Sequence, residues 1–408
     1  MKIAFYLPNK NISAIDFSNI ENGNPGIGGS EYSTILIATN LCIRKKFDVI
    51  IYCDKSSLFP KELKWTICHD LIGAIKLSIA QQINYLVVDG KLLTKEILCR
   101  YVNVHFIVWA NTFISQKYQD IFSRMGNVIK IINVGKEQLE LTKNHPIYKK
   151  STYIYNAVPT TPLNDFPYIT PNNKRNHNVC YIGSLHSAKG FQYLAQAWPK
   201  VIQKVPDANL FVIGSGRLYG RNAKLGKWGI ADKDFEEEFM PYLTKSGRII
   251  DSVHFLGILG NEKYSILEKC KVGVPNPSGV SETFGYTAVE MEMMGCQVTT
   301  IKCPGYIDTV CLKENLYDNT KDLSYYIIKL LNSNEYDQNK VLNYINQFSV
   351  ESVISVWEKL IINLETSENV IKTIKDKSFY CNIIRYYILR FKMKIKNTII
   401  KLSQMQKG

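Results

Sequence analysis

The sequence predicts an α/β protein built from two doubly wound domains that face one cleft. Three observations carry that prediction. Short apolar runs alternate with helical stretches in two successive series, a proline-bearing polar stretch separates them, and each series opens on a strand followed by a glycine-rich loop. At 408 residues the chain is long enough to bury two cores without disulfide staples. Hydrophobic residues at 46% and charged residues at 21% exclude a disordered or collagen-like chain.

Residues 1–7 read as the first strand, stopped by Pro8, and a glycine-rich loop and a helical pattern follow. The run DVIIYC at 48–53 is the next strand, which completes a β-loop-α-β unit. Residues 85–88, 104–109 and 128–132 continue the alternation, as a parallel sheet covered on both faces requires. Pro159, Pro162, Pro167 and Pro171 then interrupt the pattern, because proline disfavours helix and central strand alike. The second series begins at 179–183 (VCYIG) and continues through 210–213, 253–256, 272–274 and 298–301. We therefore assign residues 1–160 to a first Rossmann-like domain, 161–177 to a linker and 178–345 to a second Rossmann-like domain. Residues 346–366 form a helix expected to pack back across the domains, and 367–408 form a basic tail. Ligands in open parallel sheets sit beyond the carboxyl ends of the strands, so function belongs in the cleft.

The formal net charge is +14, and residues 371–408 hold eight Lys and two Arg against Asp376 alone. The excess sits in a tail, which argues against nucleic acid as a partner. On a helical wheel Tyr380, Ile384, Tyr387, Ile388, Phe391, Ile395, Ile399 and Leu402 share one face flanked by Lys and Arg. This interfacial pattern predicts that residues 380–402 meet an anionic membrane surface. No run of 18 apolar residues occurs, and the apolar stretch after Lys2 is too short for a secretion signal. The expected location is the cytoplasmic face of the membrane, reached peripherally. Ten Cys without a C-x-x-C pair point to reduced thiols and to no zinc site.

Residues 281–296 read SETFGYTAVEMEMMGC, with Gly285 at a helix start and Gly295 at its C-terminal cap. Ala288, Met291 and Met294 then face the core, while Glu282 precedes the helix and Glu290 lies in its second turn, pointing away from that stripe. The two carboxylates are on the order of 10 Å apart along the axis, room for a diphosphate between them. The amides of Phe284, Gly285 and Tyr286 at the helix start are placed to bind phosphate oxygens.

The spacing E-x7-E within PSGVSETFGYTAVEMEMMG resembles the signature of retaining GT-B glycosyltransferases, in particular glycosyltransferase family 4. The loop Gly26-Ile-Gly-Gly-Ser-Glu31, residues 183–190 (GSLHSAKG), Gly214-Ser-Gly216 and VHFLG at 253–257 resemble that family's successive landmarks. The resemblance spans about residues 1–360. It implies a GT-B fold with a C-terminal basic helical tail, and a nucleotide diphosphate sugar as donor, with uridine favoured as its base. Lys189 resembles the lysine that holds the donor diphosphate, and Glu282 and Glu290 those that contact the transferred sugar and the ribose. Gly257, Ile258 and Leu259 would lie near the base, Thr283 beside the helix start, and Gly28 and Gly29 near the phosphates. Ser184 stands where the family commonly has Arg, which Arg217 or Arg221 is positioned to replace. Asn111 stands where the family often carries a His, and an amide cannot titrate near neutral pH.

The resemblance thus implies Glu282, Lys189 and Asn111 as the catalytic set, with no metal and no other cofactor. Asp232-Lys-Asp234 spells D-x-D but lacks the preceding strand that a metal-binding motif of that kind requires. The implied acceptor is a glycan or glycolipid, lipid-linked or of lipopolysaccharide type. Two alternatives use other residues. An NAD-dependent oxidoreductase would place a ribose on Asp54, and a catalytically inactive GT-B adaptor would act through the tail alone.

Overall fold

The computed structural model describes residues 1–365 except Pro167 and Ser281, together with Phe391 and Ile395. The first seven strands are β1 (Lys2–Leu7), β2 (Asp48–Cys53), β3 (Trp65–Ile67), β4 (Tyr85–Asp89), β5 (Phe106–Ala110), β6 (Val128–Asn133) and β7 (Ser151–Tyr153). They form one parallel sheet in the order β3-β2-β1-β4-β5-β6-β7. Between them run α1 (Gly29–Arg44), α2 (Leu71–Ala80), α3 (Lys95–Arg100), α4 (Gln116–Arg124) and α5 (Lys136–Glu140). Strand alternation feeds both faces: Ile3, Phe5 and Leu7 join one apolar cluster, and Ala4 and Tyr6 join another. The continuous apolar runs of the sequence reflect this burial on two sides.

The second domain begins with β8 (Asn178–Ile182), α6 (Phe191–Lys204), β9 (Asn209–Ile213) and α7 (Lys233–Phe239). A small antiparallel pair, β10 (Thr244–Lys245) and β11 (Arg248–Ile249), leads to β12 (Val253–Gly257), α8 (Lys263–Leu267), β13 (Val272–Gly273), α9 (Tyr286–Met293) and β14 (Gln297–Val298). Five of these strands form a parallel sheet in the order β12-β9-β8-β13-β14. The apolar run at 298–301, expected as one strand, is divided between β14 and β15 (Thr300–Ile301), which pairs instead with β16 (Leu316–Tyr317). Thr299 turns the chain between them, its amide bonded to the Gly273 carbonyl at 3.0 Å and its hydroxyl to the Asn315 carbonyl at 2.8 Å. Then come α10 (Pro304–Thr309), α11 (Leu323–Leu331), α12 (Gln338–Ile345) and α13 (Val350–Glu365).

Helix α13 returns to the first domain. Trp357 is buried there, 5.0 Å from the Trp109 ring and 5.8 Å from Phe5. The domains also meet through the Asp308 carboxylate, which accepts the Glu137 amide at 2.9 Å, and through the Thr283 hydroxyl, which donates to the Asn111 carbonyl at 2.6 Å. Burial pushes the Asp308 carboxyl up to about 7.

Each sheet reverses its winding direction once, between β1 and β4 in the first domain and between β8 and β13 in the second. A crevice opens at the carboxyl ends of strands at such a switch point. The loops after β1, β8 and β13 are three of the glycine- and serine-bearing segments singled out in the sequence, and Gly214-Ser-Gly216 follows β9. The helix expected over 380–402 lies outside the described residues except for Phe391 and Ile395, both helical and exposed. Among the described residues no helix is long and apolar enough to cross a membrane.

Candidate active site

A cavity of about 430 Å³ lies between the two domains where their switch points face each other. The loop at 24–31, Lys91 and Asn111 form its first-domain wall, and segments after β8, β9, β12 and β13 form the opposite wall.

Lys189 ends a single 3-10 turn, Ser187–Lys189, that follows β8. The next residue, Gly190, has φ +71, and a Cβ there would stand 2.4 Å from the Ser278 amide nitrogen. Glycine therefore lets the lysine turn lie flat against the loop after β13. The Ser278 hydroxyl closes the contact by donating to the Ala188 carbonyl at 2.6 Å. Lys189 Nζ is 3.1 Å from Glu282 Oε2, which also accepts from Asn276 Nδ2 at 2.8 Å. The Lys189 side chain is 27% exposed and that of Glu282 13%. The carboxylate beside it raises the Lys189 ammonium pKa above the ordinary lysine value. The sequence assigns this lysine and this glutamate to different parts of a ligand. In the fold they hold each other.

Glu290 lies in α9 on the cavity side, but it is not a solvated acid. Its Oε1 accepts from Lys263 Nζ at 2.6 Å and from the Tyr264 hydroxyl at 3.2 Å, and the side chains of Lys263 and Glu290 are 5% and 6% exposed. Both partners come from α8, which begins six residues beyond the end of β12. Ala288, Met291 and Met294 are buried on the core face as the spacing predicts. Gly285 caps the helix start, yet the Tyr286 amide donates to the Phe284 carbonyl at 3.1 Å and is not open to a phosphate. The Tyr286 ring instead lines the cavity and packs edge-on against Tyr32 of the first domain, 5.7 Å away.

Residues 166–346 match the family model Glycosyl transferases group 1. Two crystal structures share the architecture over nearly the whole of both chains. A glycosyltransferase from Rickettsia africae is 14% identical, with a TM-score of 0.64 over 90% of this chain and 99% of that one. Anabaena Alr3699/HepE, solved in complex with UDP and glucose, is 15% identical, with a TM-score of 0.61 over 89% of this chain and 100% of that one. The fold is GT-B. An uncharacterized glycosyltransferase of Haemophilus influenzae is 24% identical over 297 residues, 68% of this chain and 75% of that protein.

Within this GT-B frame, Gly28, Gly29, Asn111, Ser184, Lys189, Ile258, Leu259, Glu282, Thr283, Phe284, Tyr286 and Glu290 all line the cavity. Four expected residues do not. Gly216 is spent on packing, since a Cβ would lie 2.9 Å from the Ala231 Cα, and Gly214 lines the cavity in its place. Gly285 is pressed against α10, where a Cβ would meet the Tyr306 ring at 2.6 Å. Gly257 stands behind the wall, its carbonyl accepting the Gly214 amide at 2.7 Å. Arg217 bends away and donates to the Ala223 carbonyl at 3.0 Å. Arg221, its alternative, reaches across the cleft to the Gly26 carbonyl at 2.5 Å.

Lys91, Lys263, Asn276 and Tyr219 line the cavity without having been singled out in the sequence. Only their positions just after strands β4, β12, β13 and β9 carried a signal. Asp232 of the D-x-D string caps α7, accepting the Phe235 amide at 3.1 Å. Asp54 is buried and accepts the Tyr6 hydroxyl at 2.8 Å. Among the described residues no group of three or more His, Cys, Asp or Glu side chains is arranged to hold a metal ion.

Proposed function

We propose that the protein is a retaining glycosyltransferase of the family 4 type. It moves a sugar from a nucleotide diphosphate sugar, with UDP-sugar favoured, to a hydroxyl of a lipid-linked or lipopolysaccharide-type glycan at the cytoplasmic face of the membrane. The observation that carries this reading is the largely buried Lys189–Glu282 pair, braced by Asn276 and facing the first-domain glycine loop across an interdomain cavity. The group 1 match over the second domain and the UDP and glucose bound by HepE support the donor class.

On donor binding the diphosphate takes the Lys189 ammonium. The freed Glu282 carboxylate, still held by Asn276, accepts a hydroxyl of the sugar. Glu290, fixed by Lys263 and Tyr264, accepts the ribose hydroxyls, and Asn111 offers its amide to the sugar from the first domain. The acceptor oxygen forms its bond to the anomeric carbon on the face from which the diphosphate departs, and its proton passes to a diphosphate oxygen. Charge grows on the leaving diphosphate, and Lys189, held protonated, lies where that charge develops. The protein's part is position and charge stabilisation, with no metal in the scheme. Asp54, the residue an NAD-dependent oxidoreductase would need for ribose, is already engaged by Tyr6.

The test is thermal unfolding with UDP, GDP and ADP. A nucleotide at about 100 times its dissociation constant stabilises by about 2.7 kcal/mol, and UDP is expected to do so. Lys189→Met is expected to abolish the shift. No shift with any of the three, or an equal shift in the variant, overturns the reading.

A further inference from the structure

Three consecutive carbonyls at the end of β5 each accept a side-chain donor. Gln138 Nε2, in α5, donates to the Ala110 carbonyl at 2.8 Å and to the Thr112 carbonyl at 3.1 Å, and its Oε1 accepts the Val134 amide at 2.9 Å. The Gln138 side chain is buried. The carbonyl between the two belongs to Asn111 and accepts from the Thr283 hydroxyl of the second domain. Asn111 lines the donor cavity and its Oδ1 makes no hydrogen bond among the described residues, so the aim of its amide is set through this backbone. Helix α5, which carries Gln138, has Gly135 at its N-cap and hence no side-chain cap of its own. Its cap comes from the other domain: Asp308 Oδ2, in the last turn of α10, accepts the Glu137 amide at 2.9 Å. A Cβ at Gly135 would stand 2.6 Å from that oxygen and 3.0 Å from the Thr283 carbonyl, so the position where Ser, Thr, Asp or Asn would cap the helix has no room for a side chain. The first turn of α10 meets the opposite side of the site. There the Gly305 amide donates to the Glu282 carbonyl at 3.2 Å, and a Cβ at Gly305 would lie 2.8 Å from the same oxygen.

We propose that Asp308 and Gln138 are positioning residues for the donor sugar: Asp308 caps α5 across the domain interface, and Gln138 passes the position of α5 on to Asn111. Helix α10 thereby spans the two side chains assigned to the sugar. It reaches Glu282 through Gly305, and Asn111 through Asp308, α5 and Gln138. Neither Asp308 nor Gln138 lines the cavity, so both act through Asn111 and not on the ligand. A shift of about 1 Å in a group that orients a substrate costs on the order of 100-fold in rate, which is what such a brace prevents. The inference rests on the reading of Asn111 as a contact to the transferred sugar, and adds what holds that contact in place.

The experiment measures binding of UDP, UDP-glucose, UDP-galactose and UDP-N-acetylglucosamine to the full chain by calorimetry. Asn111→Ala is expected to weaken the tightest of the three UDP-sugars at least fivefold and UDP less than twofold. Gln138→Met removes both donors and Asp308→Ala removes the cap; each is expected to give the same selective loss. Asn111→Ala/Gln138→Met is expected to bind the UDP-sugar within twofold of Asn111→Ala, because both changes act on one contact. Asp308→Asn keeps an oxygen for the Glu137 amide and is expected to bind it within twofold of wild type. A purely structural role would weaken UDP and UDP-sugar together, or neither. Either result in Gln138→Met or in Asp308→Ala, with the selective loss present in Asn111→Ala, overturns the positioning role alone. No selective loss in Asn111→Ala overturns the contact between Asn111 and the sugar, and the positioning role with it. Failure of the wild-type protein to bind any of the four ligands overturns the uridine donor reading and this inference together.

Discussion

Glu292→Gln tests whether the helix that carries Glu290 is held by a neutral carboxyl. Glu292 is 2% exposed; its Oε1 accepts the Cys311 amide at 2.8 Å, while Oε2 is buried without a hydrogen-bond partner. Burial pushes the carboxyl from 4.5 up to about 8. A raised folded-state value means the folded protein holds the proton more tightly than the unfolded chain does. The resulting stabilisation is complete below about pH 4.5 and is lost as the pH rises through about 8. For a folded value near 8, the loss between pH 7 and pH 9 is about 1.4 kcal/mol. Glutamine keeps the shape and the Cys311 bond but does not titrate. Urea unfolding of both proteins at pH 7 and pH 9, followed by circular dichroism, isolates the effect, because every other titrating group cancels in the difference. The stability of Glu292→Gln relative to wild type is expected to rise by about 1.4 kcal/mol on going to pH 9. A relative stability that stays constant between the two pH values refutes the reasoning.

Lys263→Met leaves the Glu290 carboxylate buried with Tyr264 alone and is expected to cost about 3–5 kcal/mol of stability in urea unfolding. The double variant Lys263→Met/Glu290→Gln removes the stranded charge and should recover most of that loss without restoring UDP affinity by calorimetry; an undiminished single variant counts against the pair. Arg221→Ala removes the charge-assisted bond to the Gly26 carbonyl across the cleft, of a kind that contributes about 1.5–3 kcal/mol. Steady-state kinetics should show donor KM rising about tenfold with kcat within threefold, and an unchanged KM shows that the loop after β9 plays no part in closing the site.

The sequence made the strand series legible because parallel strands buried on both faces are continuous apolar runs, as DVIIYC is. It did not disclose β3 and β7, which are three residues long and only partly buried. Glu282 and Glu290 were readable from the E-x7-E spacing, and Lys189 from the segment GSLHSAKG, through their resemblance to a family's landmarks. Their partners were not. Lys263 stands 27 residues before Glu290 and looks like any lysine in a surface helix until α8 folds onto α9. Asp89 is one carboxylate after one strand, and only the fold brings its Oδ2 to 3.4 Å from the Lys91 ammonium. The misplacements have a common cause. A glycine in a loop after a strand serves either an approaching ligand or an approaching backbone, and at Gly216 and Gly285 the space is taken by Ala231 and Tyr306.

Each lysine facing the donor cavity already has a carboxylate beside it: Asp89 at 3.4 Å from Lys91, Glu282 at 3.1 Å from Lys189, Glu290 at 2.6 Å from Lys263. Exposure separates their roles. The lysine side chains fall from 44% exposed at Lys91 through 27% at Lys189 to 5% at Lys263. A pair that must trade partners with an incoming anion needs solvent to screen the exchange, whereas parting a dry pair strands two buried charges. Lys263 and Glu290 are therefore fixed, and what they present to a ligand is an oriented acceptor suited to neutral hydroxyls. Lys189 is released at far smaller cost, and the Glu282 it leaves behind keeps Asn276. In the proposed reading the diphosphate meets Lys189 and the ribose Glu290, and the exposure of the two ion pairs agrees with that orientation.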